Sequence, residues 1–169
     1  MFRRDARAIA DRKKALCAAH GFDGLDPLDN ALLQHADKRT VATAIFRANM
    51  ALMDRADAIV ANLTPFRGPS ADPGTVFELA WMLGRNRPAF AYSTTAALYG
   101  ERTRAILGGP DPSGDEIEDF GLHDNLMVDC ALNEAGSPII TPPRHGLDPL
   151  WSFERCLEAA SRHFGFGKR

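Results

Sequence analysis

The chain has no apolar run approaching a membrane span and no N-terminal secretion signal. It also lacks any run or stripe of lysine and arginine, any internal repeat and any low-complexity segment. The first two absences point to a soluble, cytoplasmic protein. The third, with a formal net charge of −2, argues against a nucleic-acid polymer as partner, so a nucleotide-like ligand has to be small. Cysteine is scarce. Cys17, Cys130 and Cys156 are odd in number, far apart and set in apolar helical contexts. Reduced core thiols are therefore expected, and neither disulfides nor a zinc site. The histidines (His20, His35, His123, His145, His163) show no ligand spacing, so no metal is expected. What is left is one globular domain over residues 1–169, of which 45% is hydrophobic, enough to bury a real core.

Periodicity gives an alternation of helix and strand. Residues 3–20 read as a helix with Ala6, Ile9, Ala10, Leu16 and Cys17 inward and Gly21 as a stop. Residues 22–28 suggest a brief strand before the turn Pro27-Leu28-Asp29-Asn30. Residues 39–55 form a helix whose inner stripe is Val41, Ala44, Ile45, Ala48 and Leu52. Ala58-Ile59-Val60-Ala61-Asn62-Leu63 is a compact apolar run of the buried parallel-strand kind, and residues 88–92 are another short strand. Residues 94–121, rich in Gly, Pro, Asp and Glu, are expected to be a long irregular excursion. Asp124 caps a further helix, residues 137–141 are a last strand and residues 150–164 a closing amphipathic helix. This order predicts an α/β fold: a doubly wound, flavodoxin-like or Rossmann-like, mainly parallel sheet with helices on both faces. The usual opening strand is expected to be truncated, because the chain begins on a helix. Ligands of such sheets sit at the carboxyl ends of the strands, which directs attention to the loops after Leu63 and Tyr92.

The most informative segment follows the first of these loops. From Gly74 to Gly84 the sequence reads as a helix that is apolar on every side and carries one ionisable group, Glu78. Such helices are normally buried. A carboxylate taken out of water costs several kcal/mol unless it is paired or hydrogen-bonded. Glu78 is therefore a candidate for chemistry. Asp72 stands just before the helix. There it acts either as an ordinary Asp-Pro cap or as a second reactive carboxylate.

Two stretches, Ala61-Asn62-Leu63-Thr64-Pro65-Phe66-Arg67-Gly68 and Asp72-Pro73-Gly74-Thr75-Val76-Phe77-Glu78, resemble the nucleoside 2-deoxyribosyltransferase family. The Asp-x-Gly-Thr-x-x-Glu core after a strand and a Pro-Phe-Arg-Gly loop carries the likeness, and Phe120-Gly121-Leu122 through Asn125-Leu126-Met127 adds to it. The resemblance implies that Glu78 is the nucleophile and that Asp72 lies beside the nucleobase, with Gly74 at the same site. It places Asn49, where many members are acidic, against the sugar, and Phe2 at the end of the nucleobase-lining strand. Asn125 and Met127 would reach the sugar's 5′ end in a neighbouring subunit of a homo-oligomer. For Asn49, Asn125 and Met127 the bland alternatives are a core amide, a helix cap and plain core packing.

The expected activity is transfer of a 2-deoxyribosyl group between nucleobases in nucleoside salvage, through a covalent glycosyl-glutamate. It needs two carboxylates in different states and no cofactor or metal. The partners are nucleosides and free nucleobases. The rivals are an N-glycosidic hydrolase of (deoxy)nucleoside 5′-monophosphates and a catalytically silent nucleotide-binding module.

Overall fold

The computed structural model describes residues 5–29, 37–143, 147–148 and 150–166. These divide into two compact units: Ala58–Ala160, and Met1–Asp57 together with Ser161–Arg169.

The unit Ala58–Ala160 is built on two parallel strands, β1 (Ile59–Asn62) and β2 (Ala89–Tyr92), in the register Ile59 to Ala89 through Asn62 to Tyr92. Helix α3 (Pro73–Leu83) connects them, as a parallel pairing requires. After β2 come α4 (Tyr99–Leu107), α5 (Leu126–Glu134) and the larger part of α6 (Trp151–Phe164), whose end from Ser161 belongs to the other unit. One face of the strands is made of small residues. Ala61, Ala89 and Ala91 cluster with Leu63, Ala71, Leu79 of α3, Val128 and Leu132 of α5, and Ile139. The alternate residues face the other way, where the Tyr92 ring meets Phe153 of α6 edge-on at 5.8 Å. Helices therefore cover both faces of a small parallel sheet, which is the doubly wound α/β class that the alternation predicts.

The third predicted strand is reduced to one bridge. Ile140 lies parallel to Tyr92, with Ile140 N–H donating to Ala91 O at 2.9 Å and Ser93 N–H to Ile140 O at 3.0 Å. Pro138 and Pro142 on either side supply no N–H for a longer ladder. The irregular excursion expected over residues 94–121 contains α4. That helix starts where Leu98 N–H donates to Glu101 Oε2 at 2.8 Å and ends at Gly108 in the left-handed conformation (φ 74°). The cysteines also divide. Only Cys156 is a core thiol, and burial pushes it up to about 12; Cys17 is half-buried and Cys130 is exposed.

The other unit holds α1 (Ala6–Ala19), a short 3-10 turn (Pro27–Asp29) and α2 (Lys38–Arg55). Asp37 caps α2, its Oδ1 accepting from Arg39 N and Thr40 N at 3.0 and 3.1 Å. Asp29 pairs with Arg7 and Lys14 of α1. Phe22 packs against Phe164 and Phe166, and residues 22–26 do not form the expected strand. The predicted inner stripe of α2 is only partly inward: Met53 is buried, whereas Ile45 is exposed.

Candidate active site

Asp72 leaves the loop in an extended conformation and caps α3. Its Oδ2 accepts from Gly74 N at 3.0 Å and Thr75 N at 3.2 Å, with Pro73 in the first helical turn where no N–H is needed. Gly74 leaves room for this cap, because a Cβ there would lie 2.8 Å from Asp72 Oδ2 and the carboxyl would have to shift. Glu78 stands one turn further on, on the helix face that carries Gly74 and Thr75. Helical side chains lean toward the N-terminus. The helix thus carries both carboxylates toward its own starting end.

The expectation that α3 is buried on every side is corrected. Leu79 and Met82 are buried, Phe77 is 48% exposed, and Glu78 is half-buried. A sheet of two strands covers only one stripe of a helix lying on it. The outer stripe is aromatic: Phe77 stacks on Trp81 at 6.2 Å, and the Arg85 guanidinium lies 3.6 Å over the Trp81 ring. Glu78 therefore sits at the border of the core, where a carboxylate keeps access to a ligand.

The loops after the two strands are tied together at their carboxyl ends. Asn62 Oδ1 accepts from Thr64 N at 3.1 Å and Thr64 Oγ1 at 2.6 Å, while Thr94 N donates to Thr64 Oγ1 at 3.1 Å. The Pro-Phe-Arg-Gly loop closes through Phe66 N to Ser70 O at 2.9 Å and turns at Arg67, whose φ is 56°.

Helix α5 begins differently from the prediction. Its cap is Asn125, whose Oδ1 accepts from Met127 N at 3.0 Å. The Asn125 amide also donates to Glu118 Oε2 at 2.6 Å, and Leu126 N donates to Glu118 Oε1 at 3.2 Å. Met127 projects from the first turn, 72% exposed. Asp124, the expected cap, is 1% exposed and serves the loop before Asp72 instead. It accepts from Ser70 Oγ, from Ala71 N at 3.0 Å and from Asn125 N at 2.7 Å. Beside it, Arg102 of α4 donates to three carbonyls: Pro69 O at 2.8 Å, His123 O at 2.6 Å, and Ala97 O. Burial pulls the Arg102 pKa down, and the Asp124 charge works against that shift. Asp129, also buried, accepts from His123 N at 2.7 Å.

Asp72, Gly74, Glu78, Asn125 and Met127 thus belong to one unit, at the starts of two helices joined through Asp124. Asn49 is half-buried on α2 in the other unit, and Phe2 lies outside the described residues. Sequence reasoning did not single out Ser70, Arg102 or Glu118, and gave Asp124 the wrong task. A signal was there: an Asp-Asn doublet at a helix start has one more capping side chain than the helix needs. Among the described residues no group of three or more His, Cys, Asp or Glu is placed to hold a metal ion, and no helix is long and apolar enough to cross a membrane.

A family model for nucleoside 2-deoxyribosyltransferase matches residues 1–127. An uncharacterized protein of Schizosaccharomyces pombe is 32% identical over 108 residues, 62% of this chain and 51% of that protein, so the chain spans about half the length of this curated relative. A solved 2-desoxiribosyltransferase from Leishmania mexicana is similar in structure, with a TM-score of 0.64 and 26% identity, covering 94% of this chain and 89% of that one.

Proposed function

Because the chain belongs to the nucleoside 2-deoxyribosyltransferase family, we propose that it moves a 2-deoxyribosyl group from one nucleobase to another in nucleoside salvage, with Glu78 as nucleophile and Asp72 as acid and base. One observation supports this most: the Asp72 carboxyl is held at the cap of the same helix that carries Glu78 one turn further on.

In the first half-reaction a Glu78 carboxylate oxygen forms a bond to C1′ while the C1′–N bond breaks. The electron pair goes to the base nitrogen, and the Asp72 proton goes to the departing base. The product is a glycosyl ester on Glu78 with inverted configuration. In the second half-reaction Asp72 takes a proton from the incoming base, whose nitrogen attacks C1′. The ester bond breaks, Glu78 is ionised again, and the two inversions restore the configuration. Capping is compatible with this role. Both cap bonds go to Oδ2, so a proton on Oδ1 leaves them intact.

Gly74 keeps the backbone beside the cap clear for this carboxyl. Asn49 and Phe2 are assigned to the sugar and the nucleobase by the family pattern alone. Asn125 would bind the sugar's 5′-hydroxyl across a subunit contact, with Met127 beside it. The high exposure of Met127 and Phe120 in the single chain suits burial against a second copy in a homo-oligomer. Both units are read as parts of one domain of this family.

The deciding experiment incubates the protein with 2′-deoxyinosine and adenine and separates the products. New 2′-deoxyadenosine is expected. Hypoxanthine release without exchange would replace the transferase by a hydrolase, and an unchanged mixture would leave a binding module. A 2-fluoro-arabino nucleoside should add its sugar mass to the peptide containing Glu78.

A further inference from the structure

The caps of α3 and α5, Asp72 and Asn125, are 53 residues apart in sequence, yet one carboxylate is bonded to the backbone at both helix starts. Asp124 accepts from Ala71 N–H, the residue before the Asp72 cap, at 3.0 Å, and from Asn125 N–H, the next cap, at 2.7 Å. Ser70 Oγ gives it a third bond. A carboxylate that is 1% exposed and holds three donors has few ways to relax. Arg102 fixes the outside of the same junction, joining Pro69 O, Ala97 O and His123 O, so the residues before Ser70 and before Asp124 share one guanidinium. Its planar fork reaches three carbonyls at once, which an ammonium on a flexible stem does not.

We infer that Asp124, backed by Arg102, is a positioning residue for the transfer reaction: it sets where the Asp72 carboxyl stands and fixes it relative to Asn125. This rests on the reading of Asp72 as general acid. No part of Asp124 needs to touch the substrate. Its effect passes through Ser70 and Ala71, which are continuous with Asp72. Helix caps of this kind form in any orientation of the preceding loop. The loop itself is aimed by its long-range bonds together with burial of Ala71 in the core, and near 1 Å of misplacement is enough to slow a reaction about a hundredfold.

The test uses two substrates that differ in their need for an acid. 2′-Deoxyinosine needs a proton on its departing base. 7-Methyl-2′-deoxyguanosine carries a cationic base that leaves neutral on C1′–N cleavage. In each preparation of the full chain the ratio of the two kcat/KM values is measured, so the concentration of folded protein cancels. Asp72→Asn should shift this ratio strongly against deoxyinosine.

Asp124→Asn and Ser70→Ala should shift it the same way, by about 10–100-fold and about 3–10-fold respectively, with the smaller loss on 7-methyl-2′-deoxyguanosine. If Asp124→Asn does not fold, Ser70→Ala, which removes one hydroxyl, decides alone. Equal losses on both substrates would make Asp124 a purely structural residue and overturn the proposal, as would no loss on either. A ratio unmoved in Asp72→Asn would instead remove the general-acid reading, and the positioning role with it.

Discussion

Helices α3 and α5 start in nearly the same way and with opposite chemical capacity. Each opens on an Asx side chain that accepts from the backbone of its first turn, Asp72 for α3 and Asn125 for α5. Asp72 is a carboxyl with a second oxygen that can carry or take a proton. Asn125 is an amide whose nitrogen is already given to Glu118. An amide binds and orients, but it does not shuttle protons at neutral pH. α5 also has a carboxylate in its first turn, Asp129, but it is buried and accepts from His123 N–H, whereas Glu78, one turn past the cap of α3, is only half-buried. Under the proposed function, one local solution to an unsatisfied helix end serves chemistry at α3 and binding at α5. What decides is the side chain's protons, not the geometry of the cap.

The strongest way to break this contrast is to remove the half-buried carboxylate of α3. Glu78→Gln should lower base exchange by at least about 10³-fold and abolish the trapped sugar adduct in the mass spectrum. Because Glu78 is only half-buried, the thermal midpoint should stay near that of the parent.

Making the two caps alike is next. Asp72→Asn leaves a side chain that caps equally well, so stability should hold while exchange of ordinary bases falls about 10²–10⁴-fold. Asp72→Ala should lose a similar rate and in addition about 1 kcal/mol of stability in a denaturant titration. Equal stability in the two variants would show that the cap bonds carry nothing.

Gly74→Ala sharpens the comparison by geometry alone. The added methyl meets Asp72 Oδ2 at 2.8 Å, so the carboxyl must shift while the helix, with alanine the better helix former, remains. Turnover should fall about 10–100-fold, measured as kcat for deoxyinosine exchange.

The smallest effect belongs to α5. Asn125→Ala should raise KM for nucleosides about 10-fold with less change in kcat, and should cost about 1 kcal/mol through the lost cap. A fall in kcat as large as that of Asp72→Asn would contradict the division between the two helices.

How much of this was legible in advance follows from the range of each interaction. β1 and β2 are short runs of apolar residues, and a strand covered on both faces has no other composition. The Asp-Pro-Gly-Thr start of α3 encodes its own cap within four residues. α4 was hidden because Gly100 and a run of Glu, Arg and Thr do not mark an apolar stripe. Gly100 lies against the backbone of Glu118 and the Asp119 side chain, where a Cβ would meet atoms at 2.9 Å, and no local pattern marks that contact. The one-residue error at α5 arose because Asp and Asn cap equally well, and the choice between Asp124 and Asn125 was made by Ser70 and Ala71, 54 and 53 residues away.

The sequence by itself determined the α/β alternation, the two buried strands and the placement of Asp72 and Glu78 on one helix. Each of these rests on hydrophobic period or on hydrogen bonds within a turn or two of chain. Tertiary structure alone decided how far α3 is covered, what occupies Asn125, and that Asp124 and Arg102 join the loop before Asp72 to the start of α5. Those outcomes depend on which distant donors reach a buried carboxylate or carbonyl, and no local pattern of residues specifies that.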